Sequence, residues 1–333
     1  MYTDPKALVS RFIENRDAIR AVFRMESEYI YPVCAHIFLS ADRPVEAERL
    51  ERCKALVKSG TSVFSSFRGN IKLPLVCMLA AADDPEERWD RTRRCYALLK
   101  EEFFSSEYLA LAALLLSDTV PEDAVSDLAA RGKALYKRMQ KAHPFLTGQE
   151  DSVFALLLAQ SDRSDDDLLE DMETCYELLD QRFPKGDGLQ SASHVLALST
   201  AAPAEKAERM IALFDAILAA GIKYGKDQQL PILAALSLGQ EPVDELTQGI
   251  GDLDAELAKQ KGYRGIFGLD RRTRAMHDAM LLSLPDKGDG QQAVVKAAAQ
   301  KSALAIIAAQ QALMCAVVAS SAASSAAAST ASH

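Results

Sequence analysis

The stretch RRCYALLKEEFF at 93–104 returns as ETCYELLDQRFP at 173–184, with Cys95 matched by Cys175 and Tyr96 by Tyr176. Cutting the chain every forty residues from residue 101 gives blocks that open EEFFSSEYLALAALLLSD, KAHPFLTGQEDSVFALLLAQSD, QRFPKGDGLQSASHVLALS, GIKYGKDQQLPILAALSLG and KGYRGIFGLDRRTRAMHDAMLL. Each carries an aromatic near its start (Phe103, Phe145, Phe183, Tyr224, Tyr263) and then an apolar run; TSVFSSFRGNIKLPLVCMLAAADD obeys the same rule through Phe64. Tyr96, Tyr136 and Tyr176 mark the same place near the block ends and read as packing residues. A fixed period near forty residues is the signature of stacked helix pairs, because one pair cannot bury its own inner face.

Within the block around 150–183, EDSVFALLLAQ predicts a first helix buried on more than one side, since its apolar run is nearly continuous. DLLEDMETCYELLDQRF predicts a second helix. Its stripe is Leu168, Leu169, Met172, Cys175, Tyr176 and Leu179, with Glu170, Asp171 and Glu173 turned to water. Pro121, Pro203 and Pro242 stand where second helices should begin, and Pro74 and Pro231 lie early in first helices. The expected fold is therefore all-α: a solenoid of antiparallel helix pairs over 1–284, with a closed α/α ring as the alternative. A linker (285–290), an alanine-rich helix (291–320) and a disordered Ser/Ala tail (321–333) are expected to follow.

Composition narrows the function classes. The formal charge of −9, with no dense basic cluster beyond DRRTR at 270–274, argues against nucleic acid. The uncharged run from Ser302 is long enough to raise a membrane anchor. Gln310, Gln311 and the abundance of alanine argue against one, and favour packing on the last repeat or on another copy of the chain. Cys34, Cys53, Cys77, Cys95, Cys175 and Cys315 are scattered singly, which fits free buried thiols in a reducing cytoplasm and not a zinc site.

Candidate sites are few. SDRSDDDLLEDMET at 161–174 places Asp166, Asp167 and Glu170 as magnesium-holding carboxylates would stand. Acidic residues nonetheless mark the start of every second helix, where the helix dipole welcomes them, and Ser164 reads as the cap. The repeat register aligns a second set: Glu150, Asp151, Gln190, Ser191 and His194, a polar strip on otherwise apolar first helices. It could wall a groove for a peptide or small molecule, with His194 alone suited to acid–base work; His36 reads as core. In FRGN at 67–70, Arg68 and Asn70 flank a helix start where an anion could bind. No phosphate loop, HExxH pair or GxSxG elbow is present, and no metal or cofactor is expected.

FIENRDAIRAVFRMESEYIYPVC, FSSFRGNIKLPL, EEFFSSEYLALAA, HPFLTGQEDSVFALLLAQSD and LQSASHVLALS together resemble a bacterial family, domain of unknown function 4003. The resemblance implies a bacterial cytoplasmic origin and brings no activity, substrate or functional residue with it. The expected function is a cytoplasmic scaffold for a protein or peptide partner, with homo-oligomers through the C-terminal helix. The alternative is an enzyme or small-ligand binder that uses the polar strip.

Overall fold

The computed structural model describes residues 4–265 and 268–284; the expected linker, alanine-rich helix and tail, with Cys315, lie outside them. Among the described residues there are fourteen α-helices and no strand. They divide into two compact units, Arg11–Asp162 and a second that begins at Arg163. After α1 (Pro5–Val22), the first unit contains α2 (Ile30–Ser40), α3 (Ala47–Ser59), α4 (Lys72–Ala81), α5 (Pro85–Glu102), α6 (Glu107–Leu116), α7 (Val125–Ala142) and α8 (Asp151–Leu158). The second contains α9 (Asp165–Asp180), α10 (Asp187–Ala197), α11 (Pro203–Ala219), α12 (Leu230–Ser237), α13 (Val243–Leu257) and α14 (Arg271–Leu282).

From α4 onward the helices alternate between two kinds, as the sequence pattern requires. The even-numbered ones are short and sealed: Leu73–Ala81 of α4 and Leu109–Leu116 of α6 are buried without a break. The odd-numbered ones are longer and bury one stripe, such as Trp89, Thr92, Cys95 and Leu99 of α5. In the first unit α6 packs on α5 and α8, and α7 on α5 and α8. In the second, α10 packs on α9, α11 and α12, while α13 packs on α11 and α14. Two pairs of helices approach closely enough to exclude a side chain. A Cβ at Gly132 of α7 would stand 2.8 Å from Leu156 of α8, and one at Gly249 of α13 would stand 2.8 Å from Leu282 of α14.

Local chemistry sets the helix starts. Asp84, Ser106 and Ser164 each accept a hydrogen bond from the backbone three residues on, and Asp270 accepts from Arg272 and Thr273. Pro203 opens α11 and Pro242 immediately precedes α13, whereas Pro121 is followed by a 3-10 turn before α7 begins.

The ends of the short helices are closed from a distance. Arg49 of α3 donates to Ala80, Ala82 and Asp83 at and beyond the end of α4. Arg131 of α7 serves α8 through Ala159 (3.1 Å) and Ser161 (2.5 Å). Arg209 of α11 serves α12 through Ser237 (2.7 Å) and Glu241. Arg88 of α5 pairs with Asp118, just past α6. Unsatisfied carbonyls and the negative end of the helix dipole both favour a cation there. One helix thereby fastens the end of another about thirty residues later.

Each block's aromatic has a structural use, with two corrections. Phe103, Phe183, Tyr224 and Tyr263 are buried. Phe103 stacks edge-on to Tyr136, Phe183 and Tyr224 to Phe214, and Tyr263 to His277. Phe64 and Phe145, which the register places in the same role, are instead exposed. Between α3 and α4 the buried ring is Phe67, set against Trp89 and Tyr96. Before α8 the inward group is Thr147, whose hydroxyl donates to the Met139 carbonyl. A loop has room for one inward ring, and local backbone geometry selects which residue fills it.

Five cysteines, Cys34, Cys53, Cys77, Cys95 and Cys175, are free and buried among the described residues. Burial pushes the Cys95 and Cys175 thiols up to about 12 and Cys53 up to about 11, so these sulfurs are inert packing groups.

Candidate functional site

The residues singled out from the sequence fall into three settings. Arg68 closes the 3-10 turn Ser66–Arg68, and its guanidinium is turned to the end of α3. It donates to Thr61 Oγ1 (2.8 Å), the Thr61 carbonyl (2.6 Å) and the Lys58 carbonyl. Asn70 stands exposed at the start of α4, where an anion is favoured, and the anion found there is the chain's own. Glu107 Oε2 accepts from the Asn70 amide at 2.6 Å and the Ile71 amide at 3.4 Å. The Glu107 carboxylate lies so close that a Cβ at Gly69 would overlap it at 1.9 Å.

In the first unit, Glu150 precedes α8 and Asp151 opens it. Asp151 is buried, and its Oδ2 accepts from the Gly148 amide at 2.8 Å. Tyr136 donates to the Gly148 carbonyl at 3.1 Å; burial, then the charges of Asp151 and Glu150, push its phenol above the ordinary value. In the second unit, Gln190 and His194 are buried on α10, and Ser191 is half-buried. His36 is buried on α2.

The acidic cluster caps α9. Ser164 Oγ accepts from the Asp167 amide (3.1 Å) and donates to the Asp167 carboxylate (2.7 Å). Asp171, expected to face water, is buried. It makes two 2.7 Å contacts with Lys206 Nζ and one of 2.8 Å with Arg163. Lys206 and Arg163 also donate to the Ser199 carbonyl just past the end of α10, so this ion group is another helix-end fastening. Among the described residues no group of three or more His, Cys, Asp or Glu is placed to hold a metal ion.

A cleft of about 630 Å³ between the end of α11 and one face of α13 has no counterpart among the sequence motifs. Its wall includes Ala216, Ala220, Asp244, Thr247, Gln248 and Asp254. It is a groove open to solvent, and of the two carboxylates on its wall Asp254 is engaged by an arginine. Arg274 of α14 grips Asp254 with a fork of 2.6 and 3.1 Å. One turn further along α14, Asp278 is fully buried beside the carboxylate of Asp254. Burial, then the charge of Asp254, pushes its carboxyl well above the usual range, with Arg274 opposing. Burial and Asp254 together thus favour the protonated form of Asp278. The only sequence signal was the DRRTRAMHD string, in which the spacing of Arg274 and Asp278 places them on one helix face.

The sign of the consequence for stability is fixed. The carboxyl of Asp278 holds its proton more tightly in the folded chain than in the unfolded one, so it costs folding nothing below the ordinary carboxyl value and penalises folding as pH rises above it. Asp278→Asn, which cannot ionise, is therefore expected to raise the melting temperature at pH 7–8, the gain shrinking to nothing near pH ~4. Thermal melts of both proteins across that range measure it; a gain independent of pH would show that ionisation is not the cost.

The sequence matches the family described as "Protein of unknown function (DUF4003)" over residues 15–312. The chain belongs to this family. It is similar to the uncharacterized protein YeaA of Bacillus subtilis (strain 168), at 23% identity over 274 residues that cover 79% of this chain and 80% of that protein. No solved structure matches. For this family member, then, the fold rests on the helix pattern and packing described above. None of the described helices is long and apolar enough to cross a membrane.

Proposed function

We propose that this DUF4003 protein is a cytoplasmic helical-repeat scaffold that binds a protein or peptide partner. In this reading each unit is a run of stacked antiparallel helix pairs, with a period of about forty residues, of the kind that builds α-solenoids. One observation carries the reading: Phe64, Phe104 and Phe145, on the loops before α4, α6 and α8, are 96%, 90% and 97% exposed. Single exposed apolar residues are ordinary, but three at one place in consecutive pairs amount to an interaction edge. The burial of Asp151, Gln190 and His194 weighs in the same direction, since a polar strip that serves catalysis has to reach its substrate.

Affinity capture from native bacterial lysate, with mass spectrometry of proteins and metabolites, tests the reading. The full-length chain is expected to retain a protein, and Glu150→Ala and His194→Ala are expected to retain it equally. No retained protein, or a metabolite lost in either variant, overturns it.

A further inference from the structure

We propose that the loop edge of the first unit receives an extended, acidic peptide segment with an apolar residue at every third position. This deepens the scaffold reading and rests on it. The three loops lie side by side. Glu107, which opens α6 after the second loop, holds the amides of Asn70 and Ile71 at the end of the first. Phe103 of the second loop packs on Tyr136, whose hydroxyl donates to Gly148 in the third. Each loop presents the same pair of groups. An exposed lysine ends the preceding helix (Lys58, Lys100, Lys141), and an exposed phenylalanine follows within six residues (Phe64, Phe104, Phe145). Between the second and third loops, Lys133 stands 5.8 Å from the Phe104 ring centre and 5.4 Å from that of Tyr136.

In a chain of formal charge −9, cations repeated beside apolar tips select an occupant that is acidic and apolar by turns. Spacing selects its conformation. Packed helices stand about 8–10 Å apart, and three residues of extended chain at about 3.3 Å each cover that distance. In the second unit the loop aromatics Phe183, Tyr224 and Tyr263 are buried, and Pro184 stands where Phe104 does in the first. An anionic bilayer suits the edge less well, because Glu101 and Glu102 are exposed beside Phe104 and would face its headgroups. A peptide can thread its charges past them.

The probe is a fluorescein-labelled peptide of Asp-Leu-Glu repeated four times, titrated into the full-length protein and followed by anisotropy. Saturable binding is expected, weakening several-fold when salt is raised from about 50 to about 300 mM. Phe64→Ser/Phe104→Ser/Phe145→Ser should weaken it about tenfold or more. These side chains are almost fully exposed, so circular dichroism and melting temperature should match the parent; if the triple variant misfolds, Phe104→Ser alone should still weaken binding. Lys58→Ala/Lys100→Ala/Lys141→Ala should flatten the salt dependence. Absence of binding, or equal binding by the phenylalanine variants, overturns the inference. So does phosphatidylserine-vesicle sedimentation that is lost in those variants, which would make the edge a membrane contact. A dimer in sedimentation velocity that they dissolve would make it a contact between copies, and overturns the inference equally. If the lysate capture still retains a protein, only this assignment falls; if it retains none, the scaffold reading falls with it.

Discussion

Asp171→Ala is expected to destabilise the second unit by about 3–5 kcal/mol, because it leaves a buried ammonium without its counterion. Asp171 and Lys206 side chains are 3% and 2% exposed, and the carboxylate holds Nζ with both oxygens. Once the carboxylate is gone, Lys206 retains only the Ser199 carbonyl at 3.1 Å. Lys206→Met should cost less, since Asp171 keeps Arg163 at 2.8 Å. The pair Asp171→Leu/Lys206→Met should recover most of the loss, because removing both charges removes their desolvation cost as well as their attraction. Urea unfolding followed by circular dichroism reads all three. If Asp171→Ala unfolds at the parent's midpoint, or the double variant is no better than Asp171→Ala, the group is not a coupled buried pair.

Trp89→Ala should cost the first unit a similar amount, about 3–5 kcal/mol, by a different route. Trp89 is the single tryptophan of the chain and 1% exposed. Its ring meets Phe67 edge-on at 5.0 Å, and Phe67 in turn meets Tyr96 at 4.7 Å. Truncation opens a cavity between α5 and the loop before α4, and surrounding groups can fill it only partly. The Gly60 backbone lies against the indole, so close that a Cβ there would fall 2.8 Å from Nε1. Trp89→Phe keeps an aromatic face and should lose distinctly less. Thermal melts by circular dichroism compare them, since the alanine variant has lost its fluorophore. Equal melting temperatures for Trp89→Ala and the parent would remove Trp89 from the core.

Both effects depend on features that differ in how far sequence could reach them. The stripe of α5 containing Trp89 follows from three- and four-residue spacing, and its start from Asp84 and Pro85. Asp171 sits on the polar side of that same kind of pattern, between Glu170 and Met172, and a stripe drawn from hydrophobicity alone sends it to solvent. Its counterion is 35 residues away on α11, at a distance no local window sees. The same limit applies to Glu107, which fills the helix start beside Asn70 from 37 residues away, so the anion site suggested by Arg68 and Asn70 is occupied from within. Asp254 and Arg274, on consecutive helices, meet in the same way.

The aromatic register shows the limit within one loop. Phe64 and Phe67 are both rings in the same short segment, and only Phe67 turns inward; Phe103 and Phe104 are neighbours, and only Phe103 does. Hydrophobicity does not separate such pairs, because one backbone path can aim only one of the two side chains at the core.

By itself, the sequence determined the all-helical class, which helices are sealed and which are striped, and where several of them start. Those properties arise from interactions within about one helical turn or from the burial demanded by a continuous apolar run. Tertiary structure decided which polar groups enter the interior, which cation closes which helix end, and which phenylalanines are left outside. The first two are pairings between residues roughly thirty to forty positions apart, whose geometry exists only once the helices have packed, and the third is set by the path of the loop backbone.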